Sequence, residues 1–88
     1  MAPITKQFHR FSETDIDEEI IIMRHDNGEV LSLSETGATI WRLLDGTRNR
    51  ADLGAAITDR FNIDERLIDP DIDEFLLQLR EAGLIADS

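Results

Sequence analysis

Eighty-eight residues make one domain at most, and a chain this short buries only about 60–65% of its unfolded surface, so its core is thin. The absence of Cys excludes disulfides and a four-cysteine zinc site, while 41% hydrophobic residues suffice for a packed fold. Nineteen acidic residues against nine basic ones give a net charge of −10, which repels phosphate backbones and makes nucleic acid a poor partner.

In chain order, the first residues lack the 7–15-residue apolar core of a signal peptide. No apolar run approaches the ~20 residues that span a bilayer. The expectation is a cytoplasmic protein with no membrane partner. Lys6, His9 and Arg10 are followed by Glu13, Asp15, Asp17, Glu18 and Glu19, a charge run that usually forms a solvated loop. Residues 1–19 therefore read as a partly flexible acidic segment with a possible first strand near 8–12, and residues 20–88 as the folded domain.

Ile20, Ile21 and Ile22, three β-branched residues in a row, favour a strand. Asn27-Gly28 is the strongest two-residue hairpin signal, because both central positions need positive φ. Val30 to Leu33 is the return strand. A two-residue turn sets Arg24 opposite Leu31 and Ile22 opposite Leu33. Ile20, Ile22, Leu31 and Leu33 then share the core side, and Ile21, Met23, Val30 and Ser32 the other.

Ser34 suits an N-cap for a helix over 35–44, where Ala38, Ile40, Trp41 and Leu44 recur at helical spacing and Asp45-Gly46 is the stop. Trp41 belongs in the core, with a partner for its indole N–H. Asn49 caps a second helix over about 50–61, striped by Leu53, Ala56, Ile57 and Phe61. Asp69-Pro70 opens a third helix with Ile72, Phe75, Leu76 and Leu79 inward. Ala82-Gly83 ends it, and Leu84-Ile85 folds back on the core. The fold class is α+β and winged-helix-like: a hairpin or three-stranded sheet, then three helices.

Catalytic equipment is missing. His9 and His25 have no triad partners at a suitable spacing. Asp71 and Glu74 suit the positive end of a helix better than acid–base work. The Asp-x-Asp at Asp15 puts Ile20 where a calcium loop needs Gly, and no glycine loop cradles phosphate. No metal, no cofactor and no enzymatic activity are expected. Leu77 breaks the pattern: at about 100° per residue it sits some 140° from Ile72, beside Asp73 and Arg80. It is either an ordinary exposed leucine or part of a groove wall.

The run Glu29-Val30-Leu31-Ser32-Leu33-Ser34-Glu35-Thr36-Gly37-Ala38-Thr39-Ile40-Trp41-Arg42-Leu43-Leu44-Asp45-Gly46 resembles the PqqD family, with Leu33-Ser34 in place of that family's Leu-Asn. Asp71-Ile72, Phe75-Leu76, Leu79 and Gly83-Leu84-Ile85 are similar to its closing pattern, so the resemblance covers roughly residues 20–85. It implies a precursor-peptide recognition element for ribosomally made, modified peptides. Such a domain binds the leader of a precursor by strand addition and presents it to a modifying enzyme of the same pathway. That enzyme is a radical S-adenosylmethionine protein or a lasso-type leader protease and cyclase. By that analogy Glu29, Val30, Leu31, Ser32 and Leu33 form the docking strand, and Asp73, Leu76, Leu77 and Arg80 the facing wall. Two other readings stand beside it. One is a winged-helix DNA-binding regulator presenting Arg48, Arg50 and Arg60; the other is a structural accessory subunit of an enzyme.

Overall fold

The structure is a computed structural model and describes residues 2–87. Its elements are β1 (Ile4–Lys6), a short 3-10 turn (Phe8–Arg10), β2 (Phe11–Ile16), β3 (Glu19–Arg24), β4 (Val30–Ser34), α1 (Glu35–Leu43), α2 (Arg50–Phe61), α3 (Glu65–Glu81) and β5 (Ile85–Asp87). The order β2-β3-β4 makes an antiparallel sheet, and β1 pairs with β5 in a separate two-stranded one. The fold is thus α+β, with a three-stranded sheet laid against three helices. None of the helices is long and apolar enough to cross a membrane.

The acidic stretch is built into this sheet instead of forming a loop. Glu13 and Asp15 lie in β2, Asp17 and Glu18 form the turn, and Glu19 opens β3. Before it, β1 places Ile4 in the core opposite Asp87 of β5. Phe8–Arg10 is a single 3-10 turn, and the first strand of the main sheet starts at Phe11.

The hairpin between β3 and β4 turns where Asn27-Gly28 predicts, but through a four-residue loop, 25–28. Arg24 N–H donates to Glu29 C=O at 2.8 Å, Gly28 N–H donates back to Arg24 C=O at 2.9 Å, and the Asn27 side chain accepts from Glu29 N–H at 2.9 Å. Gly28 alone in this loop takes the positive φ, +71°. The register is therefore offset by two residues from the two-residue turn: Ile22 pairs with Leu31 and Ile20 with Leu33. An even offset preserves the faces, so Ile20, Ile22 and Leu33 still lie in the core with Leu31 packed at its border.

Ser34 occupies the N-cap position of α1 without a side-chain cap bond, and Glu35 takes a left-handed φ of +52°. Asn49 caps α2 in a full capping box with Asp52. Phe61, at the end of its stripe, is exposed. The third helix starts four residues before Asp69: Asp64 is the cap, accepting from Arg66 N–H at 2.9 Å, and Pro70 falls inside the helix. The extra turn buries Ile68 against the core and frees Asp69 to pair with Arg50 at 2.8 Å, which offsets the hydrogen bond that Pro70 withholds.

Trp41 is fully buried at the centre of the core. Its indole N–H donates to a Glu13 carboxylate oxygen at 2.9 Å, Phe11 packs edge-on at 5.5 Å, and the Lys6 ammonium sits 4.3 Å from its ring centroid. Leu84 and Ile85 close the core from the C-terminal side.

Candidate peptide-binding cleft

Two strands edge the main sheet, and they differ in character. β2 carries Glu13, Asp15 and the adjoining Asp17, with Arg42 bonded to Asp15 and to the Asp17 carbonyl. Charges of this kind protect an edge from further pairing. β4, Val-Leu-Ser-Leu-Ser, has none. Since Arg24 N–H points at Glu29 C=O, antiparallel alternation turns the backbone groups of Leu31 and Leu33 toward β3 and those of Val30 and Ser32 outward. Val30 is 57% exposed. β4 thus offers two N–H and two C=O groups on an uncharged edge.

Beside that edge runs α3. The Phe75 ring and the Leu33 side chain converge over Gly37, at 3.8 and 3.9 Å from where a Cβ would stand. Phe75 therefore lies level with Leu33. Seven residues on, Ala82 lines a cavity with His9, Arg10, His25 and Asp26, at the end of the sheet where β2 begins and β3 ends. Leu31, Phe75 and Ala82 are all half-buried apolar groups packed on the core.

The residues expected to form one groove fall into two sets. Glu29, Val30, Leu31, Ser32 and Leu33 are on or beside β4. Asp73, Leu76, Leu77 and Arg80 line a different cavity of about 450 Å³ with Ala2, Ile4 and Arg50, to which β4 contributes nothing. Leu76 is core, at 3% exposure, and Asp73 bonds Arg50 at 2.7 Å. That flank of α3 faces α2 and β1; the flank toward β4 carries Phe75, which the sequence places among core residues. The reason is geometric. Helical periodicity defines the inward direction, but both flanks of the stripe lie equally off it, and periodicity does not say which one meets the sheet edge. Phe75 and Leu33 lie together beside Gly37, which sets the Phe75 flank nearer β4.

Among the described residues, no group of three His, Cys, Asp or Glu side chains is placed to hold a metal ion. Of the three arginines that a DNA reading needs, Arg48 bonds Asp45 at 2.9 Å and Arg50 bonds both Asp69 and Asp73, leaving their charges spent within the fold.

Known proteins place this architecture. No curated protein matches the chain. Among solved structures, TbiB1 in complex with the TbiA(beta) leader peptide superposes with a TM-score of 0.82 at 22% identity, over 92% of this chain and 93% of that one, and the likeness is one of fold. The family model described as coenzyme PQQ synthesis protein D (PqqD) matches residues 19–85, most of the chain, and the chain belongs to the PqqD family.

Proposed function

We propose that the chain binds the leader segment of a ribosomally made precursor peptide by strand addition to the outer edge of β4, and presents that precursor to a modifying enzyme. Family membership supports a peptide-binding accessory role. So does the likeness in fold to TbiB1, which is itself in complex with a leader peptide. The observation that carries the reading is the uncharged β4 edge, with the outward groups of Val30 and Ser32, near the half-buried apolar side chains of Leu31 and Phe75. Backbone pairing supplies affinity, and alternating side chains supply selectivity.

The magnitudes suit a reversible carrier. Four backbone hydrogen bonds contribute about 0.5–1.5 kcal/mol each, and two buried apolar anchors about 1.5–3 kcal/mol each. Against an association cost of about 4–15 kcal/mol, these contributions leave at most about 8 kcal/mol, so binding should be no tighter than about micromolar. The partner enzyme, of the radical S-adenosylmethionine or lasso protease–cyclase kind, supplies the chemistry; the chain supplies none.

The test is a titration with synthetic leader segments of candidate precursor peptides, against wild type and Val30→Pro. Proline at the first residue of an edge strand removes an outward N–H while sparing the ladder to β3. Affinity should fall tenfold or more with the melting temperature held. Equal affinity for both proteins would refute strand addition at β4.

A further inference from the structure

The main sheet has two faces, and the one away from the core is open. On it the pairings set three rows across the strands: Ser12, Met23 and Val30; Thr14, Ile21 and Ser32; Ile16, Glu19 and Ser34. The alternate positions, among them Phe11, Ile20, Ile22 and Leu33, form the core face. We infer that the first open row is a specificity element: Val30 and Met23 select an apolar side chain on the outward-facing side of a peptide docked along β4. The inference rests on the strand-addition reading above and deepens it, assigning a chemical requirement to one position of the bound peptide.

Composition sets this open face apart. The chain is 32% charged, yet the first two rows carry no charge. The third carries only Glu19, whose carboxylate accepts from Ser32 Oγ at 2.5 Å. A sheet face turned to water ordinarily alternates to polar residues. Here Met23 and Val30 are both exposed and directly opposite one another, with Ile21 half-buried one row along.

Val30 ends its row. Met23 is its neighbour on the β3 side, and the other side is the sheet edge, toward which the Val30 backbone N–H and C=O point. A strand that takes up those groups sets one of its residues beside Val30. Residues directly opposite in adjacent strands share a face, with Cβ atoms about 4.5–5.5 Å apart. The row then reads Ser12, Met23, Val30 and one peptide side chain. An aliphatic or aromatic group there covers apolar surface that is otherwise wet, and aromatic–β-branched neighbours are among the favourable cross-strand pairs. A charged group at that position is crowded against Val30 with no counter-charge in its row. Two residues along the peptide the neighbour is Ser32, whose hydroxyl is already given to Glu19. The apolar requirement is therefore confined to the position beside Val30.

A random-peptide display library panned against the full chain supplies the probes. An enriched peptide is remade with Glu at each position in turn and titrated against wild type, Val30→Lys and Ser32→Lys. Val30→Lys should bind the parent peptide about threefold or more weakly. One Glu position, apolar in the parent, should restore Val30→Lys affinity while weakening wild type, and the position two residues from it should serve Ser32→Lys. Parent affinity unchanged by Val30→Lys overturns the proposal. So does a Glu gain spread evenly over all positions, which reflects net charge alone. Should Val30→Lys melt early, Val30→Thr replaces it. Changing the apolar peptide residue to Thr should then cost wild type about threefold and Val30→Thr much less, and equal costs overturn the proposal. Val30→Pro separates this failure from the other. If the enriched peptides bind Val30→Pro as well as wild type, strand docking is refuted and this proposal falls with it. If Val30→Pro weakens them while Val30→Lys does not, the specificity position alone is refuted.

Discussion

Phe75 and Leu33 both come within 4 Å of where a Cβ on Gly37 would stand, which sets the Phe75 flank of α3 nearer β4 than the Leu77 flank. Gly37 lies in the first turn of α1 with a non-positive φ, and an added Cβ would rest at ordinary van der Waals distance from both side chains. Gly37→Ala should therefore stabilise the fold by about 0.5–1 kcal/mol, through lost freedom in the unfolded chain. Urea denaturation checks it. Gly37→Leu should instead push Phe75 outward and weaken leader binding.

The Trp41–Glu13 hydrogen bond ties the buried centre of the core to an exposed strand. Removing the acceptor orphans a buried N–H, so Glu13→Ala should cost about 1–3 kcal/mol. Glu13→Gln, which keeps an acceptor, should cost less. In a Trp41→Phe background the same Glu13→Ala change should lose most of its effect. Denaturant midpoints of the four proteins form the cycle.

Lys6 gives an alkaline signature. Burial beside Trp41 pulls its pKa below 10.5, against the opposing pull of Glu13 and Asp45. A base with a depressed folded-state pKa binds its proton less readily when folded than when unfolded. In the window between the depressed value and 10.5 the unfolded chain holds more protons, so stability rises with pH there. Lys6 is the sole Lys, and there is no Tyr or Cys. The rise just below pH 10.5 thus belongs to one side chain, since arginines titrate well above that range. Denaturation measured across that range should show it in wild type and not in Lys6→Met.

Leu77 and Leu79, two positions apart on α3, should behave oppositely toward stability. Leu79 is 1% exposed and Leu77 49%. Leu79→Asp puts an unpaired charge in the core and should unfold the domain. Leu77→Asp should leave the melting temperature nearly unchanged. Since Leu77 lines a cavity with Ala2, Ile4 and Arg50 to which β4 contributes nothing, it should also leave leader affinity unchanged, whereas Phe75→Asp should weaken it tenfold or more. Calorimetry with circular dichroism on the three variants decides between the two flanks.

Local signals in the sequence carried most of the fold. Asn27-Gly28 marked the hairpin, Asn49 with Asp52 the second helix, and the Ile72, Leu76, Leu79 stripe the face of α3 that is buried. What they left open was non-local. The pairing of β1 with β5 joins three-residue strands from opposite ends of the chain, too short to announce themselves. Asp69-Pro70 reads as a helix start, yet the apolar contact of Ile68 draws the helix back to Glu65. The position of β4 at a sheet edge was legible because turn chemistry is local. Which flank of α3 lies nearer β4 was not, because a stripe has two flanks and only tertiary packing distinguishes them.

The most direct test of strand addition at β4 is amide hydrogen exchange on the free chain and on its complex with the leader. Val30 and Ser32 point their N–H groups away from β3, and binding should slow their exchange at least tenfold, with Leu31 and Leu33, already paired inward, changing less. Unchanged exchange at Val30 and Ser32 in a saturated complex, with protection gained instead around Leu77, would contradict the account.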